Sequence, residues 1–141
     1  MGVFLDLDGY PAVKPPWGTL TALNLNTGKI IWQTPLGYYE TLKSKEINTG
    51  TENFGGATAT AGGLVFAAGT LDKLIRAFDS KNGKELWSHK LPYIGSAPPT
   101  SYEIDGEQYI VIPASGGISL GMWYPNLVEQ GDAIVAFKIQ D

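Results

Sequence analysis

Short apolar stretches separated by glycine, asparagine and proline run through most of this chain, and their rhythm is that of strands. Thr19 to Leu25 and Leu74 to Asp79 alternate in polarity and are rich in β-formers, which predicts half-buried strands. Leu64-Val65-Phe66-Ala67-Ala68 and Tyr109-Ile110-Val111-Ile112 are apolar without alternation. Flanking glycines and β-branched residues disfavour a buried helix there, so both runs predict strands covered on two faces. Further strands are expected at Ile30 to Gln33, Ala57 to Thr60, Leu86 to His89 and residues 132–139, and Val3 to Leu7 is an extended candidate. Residues Glu40 to Glu46 alternate in charge and predict a solvated loop or a single helical turn.

The pattern repeats. Ala22-Leu23-Asn24-Leu25-Asn26-Thr27-Gly28-Lys29-Ile30-Ile31-Trp32 returns as Ala77-Phe78-Asp79-Ser80-Lys81-Asn82-Gly83-Lys84-Glu85-Leu86-Trp87. The glycines (83 − 28 = 55) and the tryptophans (87 − 32 = 55) keep the same offset, and a third copy begins at Ala136-Phe137-Lys138. Each copy is a hairpin whose Asn-Thr-Gly or Lys-Asn-Gly turn makes positive φ cheap. Two more candidate strands lie between the copies, joined by Gly62-Gly63. Four strands per period is one blade of a β-propeller. The expectation is an all-β propeller segment of about two four-stranded antiparallel blades, an incomplete ring spanning 1–141. Residues 18–36 would end one blade, 55–91 would form a complete blade, and 97–139 would give three strands of the next. Such a chain is expected to be part of a longer propeller or to associate with itself. Trp32 and Trp87, at equal positions in the repeat, are expected to dock between blades with their indole N–H satisfied. Trp17 and Trp123 break the period.

Composition narrows the function classes. The chain of 141 residues is 43% hydrophobic and 17% charged, a folding composition for one domain. A net charge of −4 without a Lys/Arg cluster argues against nucleic acid. Zero cysteines exclude disulfides and zinc-thiolate sites. No apolar run approaches the roughly 18 residues of a membrane span. Met1 to Asp6 has neither a basic n-region nor a myristoylation pattern, so an export signal is expected outside this chain. His89, the only histidine, has no carboxylate at a spacing that makes a catalytic or zinc site, and reads as a surface position. The Gly-Lys pairs at 28–29 and 83–84 lack the first glycine and the Ser/Thr of a phosphate-binding loop.

The Ala22…Trp32 and Ala77…Trp87 units resemble the tryptophan docking motif of bacterial propellers that bind pyrroloquinoline quinone (PQQ). Three further stretches are similar to the membrane glucose and quinate dehydrogenase branch of that family: Asp8 to Leu20, Thr49 to Gly56 continuing through Phe66, and Ser96 to Thr100 with Tyr102 to Tyr109. The resemblance implies a periplasmic oxidoreductase. In the reaction that the resemblance implies, a base would take the alcohol proton while hydride passes to the quinone C5 carbon, and the protein would supply position and electrostatics. It implies PQQ with Ca²⁺ or Mg²⁺ as cofactors, and a small sugar or polyol as substrate. The membrane would be met only through parts outside this chain. The family's catalytic base and metal ligands have no counterpart here. Alcohol-oxidising relatives carry a tryptophan where this chain has Phe54, and sugar-oxidising ones often a histidine where it has Ile118.

The candidate cofactor-facing residues are Asn53, Phe54, Gly55, Asp72, Gly116 and Gly117. Asn53 offers an amide to quinone oxygens, Phe54 a ring to pack on a planar system, and Gly55 close backbone approach. A turn plus a core phenylalanine is the plainer reading of the same residues. Asp72 would contact substrate or serve as a turn residue. Ser115-Gly116-Gly117 would line the pocket or bend the chain out of a strand. The rival function is a non-catalytic scaffold that binds proteins, which has no reason to keep the Thr49 to Gly56 loop.

Overall fold

A computed structural model describes residues 3–138. Nine strands form three antiparallel sheets among them. The first sheet pairs β1 (Thr19–Asn24) with β2 (Lys29–Pro35). The second runs β3 (Ala57–Ala59), β4 (Leu64–Ala67), β5 (Leu74–Asp79), β6 (Glu85–Lys90) in chain order. The third runs β7 (Thr100–Ile104), β8 (Glu107–Ala114), β9 (Ala133–Lys138). The only helices among the described residues are α1 (Glu40–Lys43) and α2 (Ile118–Trp123). The all-β antiparallel architecture expected from the repeat is the one that forms. The strand expected over 132–139 is β9, and Ile139 lies outside the described residues, as do Met1 and Gly2.

The sequence repeat is a structural repeat down to its irregularities. β1 and β2 slip register between Ala22 and Leu23, and β5 and β6 slip between Ala77 and Phe78, at equivalent positions. In both turns a side-chain oxygen organises the backbone: Asn24 Oδ1 accepts from the Asn26 N–H, and Asp79 Oδ1 from the Lys81 N–H. The chain then reverses through Gly28 and Gly83 at φ 67° and 71°.

The two faces of the second sheet pack on different neighbours, which is why its apolar run does not alternate. Val65, Ala67 and Phe78 meet Leu20 and Leu36 of the first hairpin. Leu64, Phe66, Ile75 and Ala77 meet Ile110, Ile112, Val135 and Phe137 of the third sheet. Truncating a fully buried member of this second interface, such as Ile75 or Ile112, to alanine costs about 2–5 kcal/mol.

Trp32 closes the first junction. Its Nε1 donates to the Ser80 carbonyl at 2.9 Å, and its ring covers Gly83. Trp87 packs edge-on to Phe137 at 5.2 Å but stays 39% exposed, and its N–H has no partner among the described residues. By the repeat, the position equivalent to Ser80 is residue 139. His89 stacks on Trp87 and meets Phe137. The N-terminal stretch is not a strand: it makes one isolated bridge, Leu5 to Pro11, and Val3 and Leu5 pack on Ile94, Leu120, Tyr124 and Val128. The chain therefore uses this segment to cover loops and not to complete a sheet. No helix among the described residues is long and apolar enough to cross a membrane.

Candidate functional site

An up-and-down meander sends its connections alternately to two ends. At one end lie tight turns around Gly28, Gly63, Gly83 and Gly106. At the other lie all the long loops, 36–56, 68–73, 91–99 and 115–132. The loop singled out by sequence, Thr49 to Gly56, belongs to this second end.

Its first half is wedged between two sheets. The Thr49 carbonyl accepts from the Trp17 N–H at 2.7 Å, and the Thr51 N–H donates to Leu36 O at 2.8 Å. Thr51 Oγ1 accepts from the Leu71 N–H at 3.2 Å. Thr49, Thr51 and Thr70 are buried. Asn53 then bridges Thr70, and the Phe54 N–H points to Gly69 O at 3.4 Å. Threonines suit this path because each hydroxyl answers a buried polar group while the methyl packs.

The second half faces out. The Asn53 amide has no side-chain hydrogen bond among the described residues. Phe54 is 41% exposed and meets Trp123, the last residue of α2, edge to face at 4.8 Å. The carboxylate of Glu52 receives the Tyr124 hydroxyl at 2.6 Å and the Tyr39 hydroxyl at 3.1 Å. Burial first, and then the charge of Glu52, push the Tyr39 phenol far above the ordinary tyrosine range. Burial, reinforced by the hydrogen bond to Glu52, does the same to Tyr124. Both phenols therefore act as fixed donors near neutral pH. Tyr39 also packs edge-on to Tyr10 and Trp17, extending the aromatic surface.

Each of the other sequence-derived candidates has a definite place. Gly55 lies against the backbone of Ala68 and Gly69, and Gly116 against that of Glu129, so their small size serves the approach of neighbouring chain. Gly117, at φ 78°, opens α2 and touches Ser96. These contacts bring Gly116 and Gly117 to the same end as Phe54, which reaches the α2 segment through Trp123. Asp72 sits beneath that surface with its side chain fully buried. Its two oxygens accept from Thr70 Oγ1, the Leu74 and Tyr38 N–H groups, and both terminal nitrogens of Arg76. Asp72 is thus the ion-pair partner of Arg76 and the organiser of its turn, with no oxygen facing outward.

Sequence reasoning missed Glu52, Tyr39 and Tyr124, whose partners are remote in the chain. One signal was present: Trp17 and Trp123 depart from the 55-residue period, and both lie at this end. Cavities among the described residues also lie away from Asn53 and Phe54. One of about 440 Å³ sits between the second and third sheets, lined by Phe66, Trp87, Ile110 and Phe137 among others. Another, about 200 Å³, is bordered by Tyr38, Lys43, Arg76 and Glu85. No group of three or more His, Cys, Asp or Glu placed to hold a metal occurs among the described residues.

Residues 1–110 match the family described as PQQ: Glucose/ethanol/alcohol dehydrogenase, beta-propeller domain. The chain is 36% identical over 98% of its length to the quinoprotein glucose dehydrogenase of Escherichia coli, and spans 17% of that protein. It is 43% identical over 77% of its length to the glycerol dehydrogenase large subunit of Gluconobacter oxydans, spanning 16% of it. The quinohemoprotein alcohol dehydrogenase of Comamonas testosteroni shares the fold, with a TM-score of 0.67 at 24% identity over 92% of this chain and 17% of that one.

Proposed function

Because the chain belongs to the PQQ glucose/ethanol/alcohol dehydrogenase β-propeller family, we propose that it forms one wall of the cofactor pocket in a PQQ-dependent dehydrogenase oxidising a sugar or polyol. The observation that carries this reading is the pairing of Asn53 and Phe54. An amide with no side-chain hydrogen bond among the described residues and a ring 41% exposed follow one another in the chain at the loop end of the sheets. That set fits a planar, oxygen-rich quinone: the ring supplies a packing surface, and the amide a donor to a carbonyl or carboxylate oxygen. When bound, PQQ supplies the hydride acceptor for alcohol oxidation.

The chain's own contribution is placement. Asn53 and Phe54 make the contact, with Trp123 backing the Phe54 ring. Gly55 and Gly116 let the surrounding backbones close on one another, and Gly117 leaves room for the Ser96 side chain. Asp72 holds the 69–73 turn through Arg76. The catalytic base and the Ca²⁺ or Mg²⁺ ligands belong to residues outside this chain. The rest of the propeller, in the periplasm, supplies them, and any membrane contact is made by those other parts.

Titration of the chain with PQQ, read by tryptophan fluorescence, tests the wall. Phe54→Ala and Asn53→Ala are each expected to weaken binding about tenfold, the loss of one good contact. Unchanged affinity in both variants would overturn the reading. The chain alone, given PQQ, Ca²⁺ and glucose or glycerol, is expected to leave an artificial electron acceptor unreduced. The same assay on a complete propeller containing it should show turnover.

A further inference from the structure

We infer that Glu52 is a positioning residue: by joining Tyr39 to Tyr124 it latches the Thr49–Gly56 loop and fixes the Phe54 ring against Trp123. The inference rests on the proposed role of that loop and adds a residue to it. Three observations carry it. First, the rest of the loop is held by other means: the Thr49 carbonyl and the Thr51 N–H by backbone bonds, and the Phe54 N–H by a long contact of 3.4 Å. Second, Glu52 makes the loop's only side-chain-to-side-chain hydrogen bonds among the described residues. Third, its two acceptors reach different parts of the chain. Tyr39 precedes α1 and leans on Tyr10 and Trp17, whereas Tyr124 directly follows Trp123.

Geometry makes the latch effective. A carboxylate accepting a phenol at 2.6 Å forms a charge-assisted bond, roughly twice as strong as a neutral one. Tyr124 is buried among Ile94, Leu120 and Val128, so its hydroxyl is a fixed point. Glu52 and Phe54 are two residues apart on one loop, and Tyr124 and Trp123 are adjacent. The hydrogen bond and the ring contact at 4.8 Å are therefore parallel links between the same two segments. Loss of the first leaves the second to hold a half-exposed loop by an aromatic edge alone.

The test uses the chain without ligand first. Nuclear Overhauser contacts between the Phe54 and Trp123 rings should be present in the wild type, lost in Glu52→Ala, and retained in Glu52→Gln, whose amide can still join both phenols. Amide exchange over residues 52–56 should quicken about tenfold in Glu52→Ala while β4 and β5 stay unchanged. Should Glu52→Ala fail to fold, Tyr39→Phe and Tyr124→Phe each remove one arm and should give intermediate effects. Ring contacts and exchange rates unmoved by these variants would overturn the latch. PQQ titration is the second arm: Glu52→Ala should bind more weakly, with Glu52→Gln near wild type. A wild type that binds PQQ and a Glu52→Ala that binds it equally well would also overturn the positioning role. A wild type that fails to bind PQQ overturns the proposed function, and the ring contacts then decide the latch by themselves.

Discussion

The Trp32 indole reaches 48 residues along the chain to donate its N–H to the Ser80 carbonyl, 2.9 Å away. This bond ties the outer strand of one sheet to the turn of the next. The indole plane lies over Gly83, the glycine that closes that turn. The tryptophan of the first repeat thus reads the turn of the second, and there the period along the sequence becomes a spacing between sheets.

Gly28 and Gly83 provide a matched experiment. Both sit in the left-handed region, at φ 67° and 71°, so alanine at either is strained by about 1–2 kcal/mol. A methyl on Gly28 would meet nothing within 4 Å, whereas one on Gly83 would lie 2.7 Å from Trp32 Cδ2. Gly83→Ala should therefore destabilise the chain by about 1–3 kcal/mol more than Gly28→Ala, the usual cost of overpacking. Urea unfolding of the two variants measures the difference. In a Trp32→Phe background the gap should narrow.

Asp72 and Arg76 make a second test. Both side chains are buried, and Arg76 Nε also reaches Glu85 at 3.2 Å. Removing one member strands the other charge, so Asp72→Ala and Arg76→Ala should each cost about 3–5 kcal/mol. The double variant should cost far less than the sum of the two, because no buried ion is left unpaired and Glu85 is half exposed to water. Additive losses in thermal or urea unfolding would show that the pair is not coupled.

How much of this was legible beforehand depends on the range of the interaction. The hairpins, their turns and the docking of Trp32 follow from local rules plus a repeat, so Gly28, Gly83 and Trp32 announce themselves. The loop at 49–56 was visible as a composition. Its latch was not, because Glu52 lies 72 residues from Tyr124 and no period connects them. Asp72 illustrates the opposite trap. A polar residue beside a candidate pocket reads equally as a contact or a turn residue until its partner, four residues on across the turn, claims both oxygens. The inward or outward sense of β9 needed the register with β8.

Alkaline titration should expose the phenols on Glu52. The chain has seven tyrosines. Burial raises Tyr39 and Tyr124, and a hydrogen bond to Glu107 raises Tyr109. Ultraviolet absorbance of phenolate should therefore lag behind free tyrosine above pH ~10. On unfolding, Tyr39 and Tyr124 would regain ordinary values and release protons there. The unfolded state then binds fewer protons than the native one, so their contribution to stability is present below pH ~10 and falls as pH rises beyond it. In Tyr39→Phe/Tyr124→Phe that fall should be shallower. An unchanged alkaline slope would remove the assignment.

The last strand sets the chain's behaviour in solution. Among the described residues β9 is hydrogen-bonded to β8 alone, so its other edge offers unpaired backbone. Such an edge templates pairing with another strand. Trp87 and Phe137 meanwhile border a gap of about 440 Å³ between the second and third sheets. Association of the 15.2 kDa chain is the expected outcome, and light scattering over rising concentration checks it. The alternation of β9 decides which substitution is informative. Val135 and Phe137 turn inward onto the second interface, so a charge at either should unfold the third sheet and mimic dissociation. Ile134 turns outward and is 76% exposed, so Ile134→Lys leaves the core intact while placing a cation on the pairing strand. That variant should keep wild-type stability in urea and shift the mass towards monomer, the role charged edge residues play in natural sheets. A wild type that stays monomeric at high concentration would show that the β9 edge does not recruit a second copy.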